Sequence, residues 1–306
     1  MIQQYVNKLI DNLPDNIKNT NKPLKIDLVL DGGVFNGSYL AGALHFLKEM
    51  ENRKYIIVDR ISGCSIGSIV GFLYIMNRLD LVTNLYAEFN KEFKETYSLN
   101  IINYVKANLG EFSNEENLKK INNKLYITYH NIIKGSKKVK SVYKNWHEMT
   151  DSLIKSCFFP YLINGNLLYK NKYLDGISPY IFNEEPGKKI LFMELFSSDK
   201  ISGTINIKNE KTNHHRILTG LLDIHNFFIK ESRTVMCCYV NDWNLFDKFY
   251  YKLKTIFEKC FTYIIYLIVV IKKYINIDDI NNSIYYKLIS KILYDVFTTL
   301  LETYCL

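Results

Sequence analysis

The sequence predicts an α/β fold: a mostly parallel sheet flanked by helices, followed by a helical C-terminal extension. Three observations carry this. A short apolar run near residue 30 ends in a glycine turn and gives way to a segment of helical periodicity, and the same unit recurs near residue 63. After about residue 217 the composition shifts to helical, aromatic-rich sequence. Two strand–turn–helix units in about 50 residues indicate parallel strands, because each helix carries the chain back to start the next strand in the same direction.

The elements follow in order. Residues 1–24 are polar, contain Pro23 and read as a lead-in with room for one short helix. Ile26-Asp27-Leu28-Val29-Leu30 is a buried strand that stops at Asp31-Gly32-Gly33. From Ser38, Leu40, Ala43, Leu44 and Leu47 recur at spacings of three and four, which places them on one helix face. Residues 55–58 with Ile61 form a second strand, which meets Gly63-Cys64-Ser65-Ile66-Gly67; Ile69, Val70, Leu73 and Met76 then line a second helix. Residues 80–122 are helical and irregular. Residues 124–129 and 140–143 read as strands turned at Gly135-Ser136, with further strands at 190–196 and 203–207. This gives one domain at 26–189, then the remaining strands and the helical extension at 190–306.

Composition narrows the function. The chain has 306 residues, 48% of them apolar, so it can bury a core and is not disordered. Its net charge of +8 favours anionic partners. The lysines are spread along the chain without a dense block, so no nucleic-acid partner is expected. The cysteines at 64, 157, 237, 238, 260 and 305 form no C-x-x-C pair and no zinc-spaced cluster with histidine, so no metal site is expected. The N-terminus lacks the continuous apolar core of a secretion signal. The expected location is intracellular, cytoplasmic or peripheral at a membrane, and not secreted.

Gly63-x-Ser65-x-Gly67 carries the first chemical signal. A nucleophilic serine must project from the sheet edge on a sharp strand-to-helix turn, and flanking glycines relieve the crowding there. The following helix places N–H groups near the serine, where negative charge develops. By chance such a motif is expected about 0.04 times in this composition. The second signal is Asp31-Gly32-Gly33-Val34-Phe35-Asn36-Gly37, a glycine loop whose amides can face a substrate oxygen. It lacks a P-loop Gly-Lys-Ser/Thr and departs from dinucleotide G-x-G-x-x-G spacing, so nucleotide readings are poor. The third is Leu174-Asp175-Gly176, which alone reads as a β-turn.

In this order the three motifs resemble those of the patatin-like phospholipases: a loop of the form G-G-G-x-R/K-G, then G-x-S-x-G, then Asp-Gly-Gly/Ala. Gly37-Ser38-Tyr39-Leu40-Ala41-Gly42-Ala43-Leu44 matches the helix after that loop, and Ser156-Cys157-Phe158-Phe159-Pro160 and Tyr173-Leu174-Asp175-Gly176 look like the approach to the third motif. The likeness covers about 26–190. It implies a lipid acyl hydrolase acting on phospholipid or neutral glyceride through an acyl-enzyme, with no metal or cofactor. Ser65 would be the nucleophile and Asp175 its proton acceptor. Gly32, Gly33 and Val34, joined by Ile66, would form the oxyanion hole, and Gly37, Gly63, Gly67 and Gly176 are the remaining motif glycines. Three residues depart from the pattern. Val34 stands at the third glycine, Asn36 at the Arg or Lys, and Ile177 where Gly or Ala is usual. The departures place catalytic rate in question and keep a second reading open, a catalytically weak lipid-binding or membrane-associated module. A Ser–Asp–His triad also remains formally open, because His214, His215 and His225 follow Asp175.

In the extension, residues 260–271 carry no charge over twelve positions. As a helix this is about 18 Å, against about 30 Å of bilayer hydrocarbon, so it does not span. Lys259, Lys272 and Lys273 flank it, and residues 284–301 form an amphipathic stripe. The expectation is peripheral contact with an anionic membrane, weighed against the plainer reading of a helix covering the sheet.

Overall fold

The computed structural model describes residues 2–18, 22–196, 200, 202–208, 210–274 and 284–305. Strand β1 (Leu24–Leu30) lies at the centre of the sheet, with its last five residues buried. It pairs in parallel with β2 (Ile56–Gly63) on one side and with β6 (Lys188–Met193) on the other. Strand β3 (Leu125–Asn131) continues the parallel arrangement beside β2. Three antiparallel strands complete the sheet: β4 (Ser136–Lys140) and β5 (Tyr173–Asp175) on β3, and β7 (Cys237–Tyr239) on β6. The order is β4-β3-β2-β1-β6-β7, with β5 off that path. The predicted α/β class with a mostly parallel sheet is therefore present. The division at 189/190 falls inside β6, and the strands and helix that follow it complete the same sheet and its cover.

The helices α1 (Ile2–Asp11), α2 (Asp15–Lys18), α3 (Gly37–Asn52) and α4 (Ile66–Ile75) precede a helical stretch of α5 (Leu81–Thr96), α6 (Ile101–Asn108) and α7 (Glu115–Ile121). After it come α8 (Trp146–Ser156), α9 (His214–Lys230), α10 (Leu245–Tyr274) and α11 (Ile284–Tyr304). The apolar faces read from the sequence are the buried ones: Leu40, Leu44 and Leu47 of α3 and Ile69, Val70 and Leu73 of α4 join Leu28, Leu30 and Ile61 in the main core. Val29, Ile190 and Phe192 belong to a separate apolar cluster with Phe182, and α10 brings Tyr251 edge-on to Phe192.

Two strand expectations are corrected. The hairpin partner of β3 is 136–140, not 140–143. Residues 141–143 leave the ladder because Tyr143 turns inward, its hydroxyl donating to the Leu125 and Lys140 carbonyls and its N–H to Asn122. Residues 203–207 hold no strand. Ser202–Thr204 is a single 3-10 turn, and the carbonyls of Gly203 and Asn206 wrap the Arg216 guanidinium instead of pairing with a neighbour. The region after 217 is also not helical throughout, since β7 interrupts it.

Because β1, β2 and β6 run in parallel, with Leu30 opposite both Gly63 and Met193, their C-terminal ends share one edge. Asp31, Ser65 and Glu194 follow those ends. Strand β5 places Asp175 opposite Tyr129 of β3, beside the same edge.

Candidate active site

Ser65 sits between β2 and α4 with φ 49° and ψ −131°. A non-glycine residue rarely adopts this conformation, and here the surroundings enforce it. The Ser65 N–H donates to both the carbonyl and the hydroxyl of Ser156, at 3.1 and 3.0 Å. The same Ser156 carbonyl accepts the Gly176 N–H at 3.2 Å. Ser156, at the end of α8, thus ties the serine turn to the aspartate turn. The glycines leave no room for a side chain. A Cβ on Gly67 would lie 2.5 Å from the Asp31 carbonyl oxygen, and one on Gly176 would lie 2.3 Å from that of Thr128. Gly37 and Gly63 are similarly hemmed in, by Ile66 and by Gly67.

Asp175 is buried, with 3% of its surface exposed. Its Oδ1 accepts the Ile177 N–H at 2.7 Å, while Oδ2 is buried without a hydrogen-bond partner among the described residues. Burial lifts the carboxyl pKa to about 7, against the opposing pull of the Ile177 amide, the nearby Ser65 hydroxyl and Lys137. The Ser65 hydroxyl is therefore close to this carboxyl without forming a well-shaped hydrogen bond to it. Such contacts tighten when substrate is bound. A buried carboxyl poised near neutral pH, with one oxygen that has no hydrogen-bond partner among the described residues and a serine hydroxyl nearby, suits a general base.

The glycine loop divides its work. The Gly32 N–H donates to Asp31 Oδ1 at 3.1 Å and so is already engaged. The N–H groups of Gly33, Val34 and Ile66 enter none of the hydrogen bonds among the described residues. Asn36 is fully buried, and its amide donates to the Leu195 and Lys200 carbonyls and to Thr204. Its Oδ1 accepts from Arg216 Nη1 at 2.7 Å. A guanidinium from α9 therefore stands behind Asn36, where the family pattern has Arg or Lys, and it is paired with Glu210.

Val34 and Ile177, two of the departures from the family pattern, both carry positive φ, at 44° and 57°. For β-branched residues this costs on the order of 1–3 kcal/mol. Glycine removes that strain and returns about 1 kcal/mol as unfolded-state entropy. Val34→Gly is accordingly expected to leave thermal stability unchanged or to raise it by roughly 1–2 kcal/mol. A clear drop in melting temperature would show that Val34 is held by packing rather than against strain.

The histidines lie elsewhere. His214 and His215 open α9, and His215 pairs with Glu210 at 3.2 Å. His225 packs edge-on against Phe46, and burial lowers its pKa. His130 bonds Glu258 at 2.6 Å. None of these four forms a hydrogen bond or ion pair with Ser65 or Asp175 among the described residues. Beside Ser65 lies an apolar cavity of about 20 Å³, lined in part by Phe89, Leu99, Ile101, Phe159, Leu162 and Ile163. It is large enough for about one water molecule. Two of the segments that line it, the Phe159–Ile163 loop and the stretch between α5 and α6, are joined by the Leu99 N–H bond to the Leu162 carbonyl.

Sequence reasoning missed three contributors: Ser156 as the tie between the two turns, Arg216 behind Asn36, and the contact that α10, read only as part of a helical extension, makes with the site. The spacing of Tyr251, Lys254, Glu258, Phe261 and Ile265 carried the signal for α10, as it marks one face of a helix. That face contacts the domain through Pro179, Asp31, Ser178 and Phe159.

Comparison with protein-family models matches residues 28–235 to the patatin-like phospholipase model. Among curated proteins, none matches the chain at a significant level.

Proposed function

This chain belongs to the patatin-like phospholipase family, and on that premise we propose that it cleaves fatty-acyl esters of phospholipids or glycerides by a Ser65–Asp175 dyad. The observation that carries the reading is the pairing of a serine on a strained turn with a buried, unsatisfied carboxylate oxygen, beside three unengaged amides. Asp175 Oδ2 takes the Ser65 proton as Oγ attacks the acyl carbon. The carbonyl oxygen becomes an oxyanion held by the Gly33, Val34 and Ile66 amides, with Gly32 shaping the loop behind them. Collapse expels the alcohol, which leaves with the proton from Asp175, and an acyl-Ser65 ester remains. Asp175 then deprotonates a water that attacks this ester, releasing the fatty acid and restoring the serine. Fatty-acid release from phospholipid and glyceride dispersions by the purified chain tests the substrate class. Activity on soluble esters with none on either lipid would contradict it.

The extension supports peripheral membrane contact. No helix among the described residues is long and apolar enough to cross a membrane. Helix α10 turns an apolar stripe outward: Phe246, Phe249, Leu253, Phe257, Ile264, Leu267 and Ile271 are all exposed. Lys248, Lys252, Lys259 and Lys272 are exposed on the same helix. Apolar side chains at the acyl boundary with lysines reaching headgroups give interfacial binding that weakens in salt without vanishing. Replacing Phe246, Phe249 and Phe257 by serine is expected to cut sedimentation with anionic liposomes by about tenfold or more. Hydrolysis of a soluble short-chain ester should be unaffected. Undiminished sedimentation of the triple variant would assign the stripe another role.

A further inference from the structure

We propose that Lys254 of helix α10 is a positioning residue of the catalytic site, which neutralises Asp31 and through it holds the oxyanion loop in shape. The inference rests on the assignment of Ser65 as nucleophile.

Asp31 is the residue between β1 and the glycine loop, and it is fully buried. Its carboxylate makes three contacts. Oδ1 accepts the Gly32 N–H at 3.1 Å; Oδ2 accepts the Leu195 N–H at 3.3 Å and Lys254 Nζ at 2.7 Å. The carboxylate thus grips the first loop residue on one side and the segment after β6 on the other. A buried carboxylate without a counter-ion is costly and would be driven to protonate or move. An uncompensated negative charge at the root of the loop would also repel the oxyanion that forms beyond it. Glu194, two residues past Phe192 on the same edge, is a second carboxyl group near this root, with Arg233 at 3.8 Å. Among the described residues Lys254 is the cation in contact with Asp31, and the carboxylate in turn outweighs the effect of burial and keeps the ammonium charged.

Helix α10 is held on both sides of Lys254. Tyr251 donates to the Pro179 carbonyl at 3.3 Å. Glu258 accepts from His130, Lys137 and Ser178, the last only three residues past Asp175. Phe261 stacks on Phe159 of the acyl-cavity wall at 5.7 Å between ring centroids. The lysine is therefore delivered to a fixed place. It also lies beyond residue 235, where the family match ends, so the extension contributes to the chemistry of this chain as well as to any surface it touches.

The test uses the full chain with a soluble p-nitrophenyl ester, and Ser65→Ala is assayed alongside. Lys254→Met is expected to lower kcat about tenfold or more with KM nearly unchanged, less than the loss of a direct oxyanion donor. Asp31→Asn combined with Lys254→Met removes both charges and is expected to recover kcat to within about threefold of wild type, because a buried pair can be replaced by neutral groups without loss of fold. A folded Lys254→Met with wild-type kcat overturns the proposal, and so does a single-variant loss that the double variant does not repair. If Lys254→Met does not fold, as judged by circular dichroism, the double variant decides alone. Near-normal kcat supports the proposal, and a folded, inactive double variant overturns it. An inactive Ser65→Ala beside an unimpaired Lys254→Met leaves the nucleophile assignment standing. An active Ser65→Ala removes that assignment and this inference together.

Discussion

Ser65→Ala is expected to lower ester hydrolysis by on the order of 10⁴-fold or more while leaving the fold intact. The serine has no substitute, because each step of the proposed cycle passes through its Oγ. The surrounding structure does not depend on that oxygen: the turn is held by the Ser65 N–H on Ser156 and by the close approach of Gly67 to Asp31. Alanine would keep both. It would, however, share the strained backbone conformation, so the melting temperature should move little. A variant that hydrolyses esters at the wild-type rate would remove serine catalysis from the account.

Asp175→Asn is expected to cost a comparable factor, on the order of 10⁴, since an amide cannot accept the serine proton. The pH dependence gives a second, independent reading. With its carboxyl pKa lifted to about 7, Asp175 is mostly protonated at pH 5, and wild-type kcat should be about 100-fold lower there than on the alkaline plateau. Stability should move in the opposite direction. The folded state binds this proton more tightly than the unfolded chain, whose carboxyl titrates near 3.8. Its contribution to stability is present below about pH 4 and is lost as pH rises through about 7. Asparagine stays neutral throughout. Asp175→Asn should therefore gain melting temperature relative to wild type at pH 8, and gain less at pH 5. A flat pH–rate profile between 5 and 8, or an Asn variant with normal turnover, would contradict the assignment of Asp175 as base. His214→Ala, His215→Ala and His225→Ala should each keep most of the activity, as none of these side chains is bonded to the dyad.

The parallel core and the three motifs were legible because their signals are local. An apolar run, a glycine turn and a helical stripe each lie within a few residues, so β1, α3, β2 and α4 could be read in order. What could not be read depends on partners distant in sequence. Tyr143 turns away from the hairpin because Leu125 and Asn122 receive it, and no periodicity announces that. The segment 203–207 has apolar residues suited to a strand, yet its carbonyls are taken by Arg216. Val34 and Asn36 looked like losses when only the loop was considered. In the fold, Val34 is carried at positive φ and Asn36 receives a buried guanidinium 180 residues away. Likewise Lys254 stands 223 residues from the carboxylate it neutralises, so its role is visible only once α10 is seen lying against the sheet edge.

The central claim is that Ser65 is an activated nucleophile facing an assembled oxyanion hole. Labelling of the purified full-length chain with a fluorophosphonate probe, followed by peptide mass analysis, tests it most directly, because the probe forms a bond only with an activated serine and leaves a phosphonyl oxygen where the oxyanion would sit. One adduct per chain is expected, on the peptide containing Ser65, formed faster at pH 8 than at pH 5 and absent from Ser65→Ala. A folded wild-type chain that stays unlabelled, or an adduct that persists in Ser65→Ala, would contradict it.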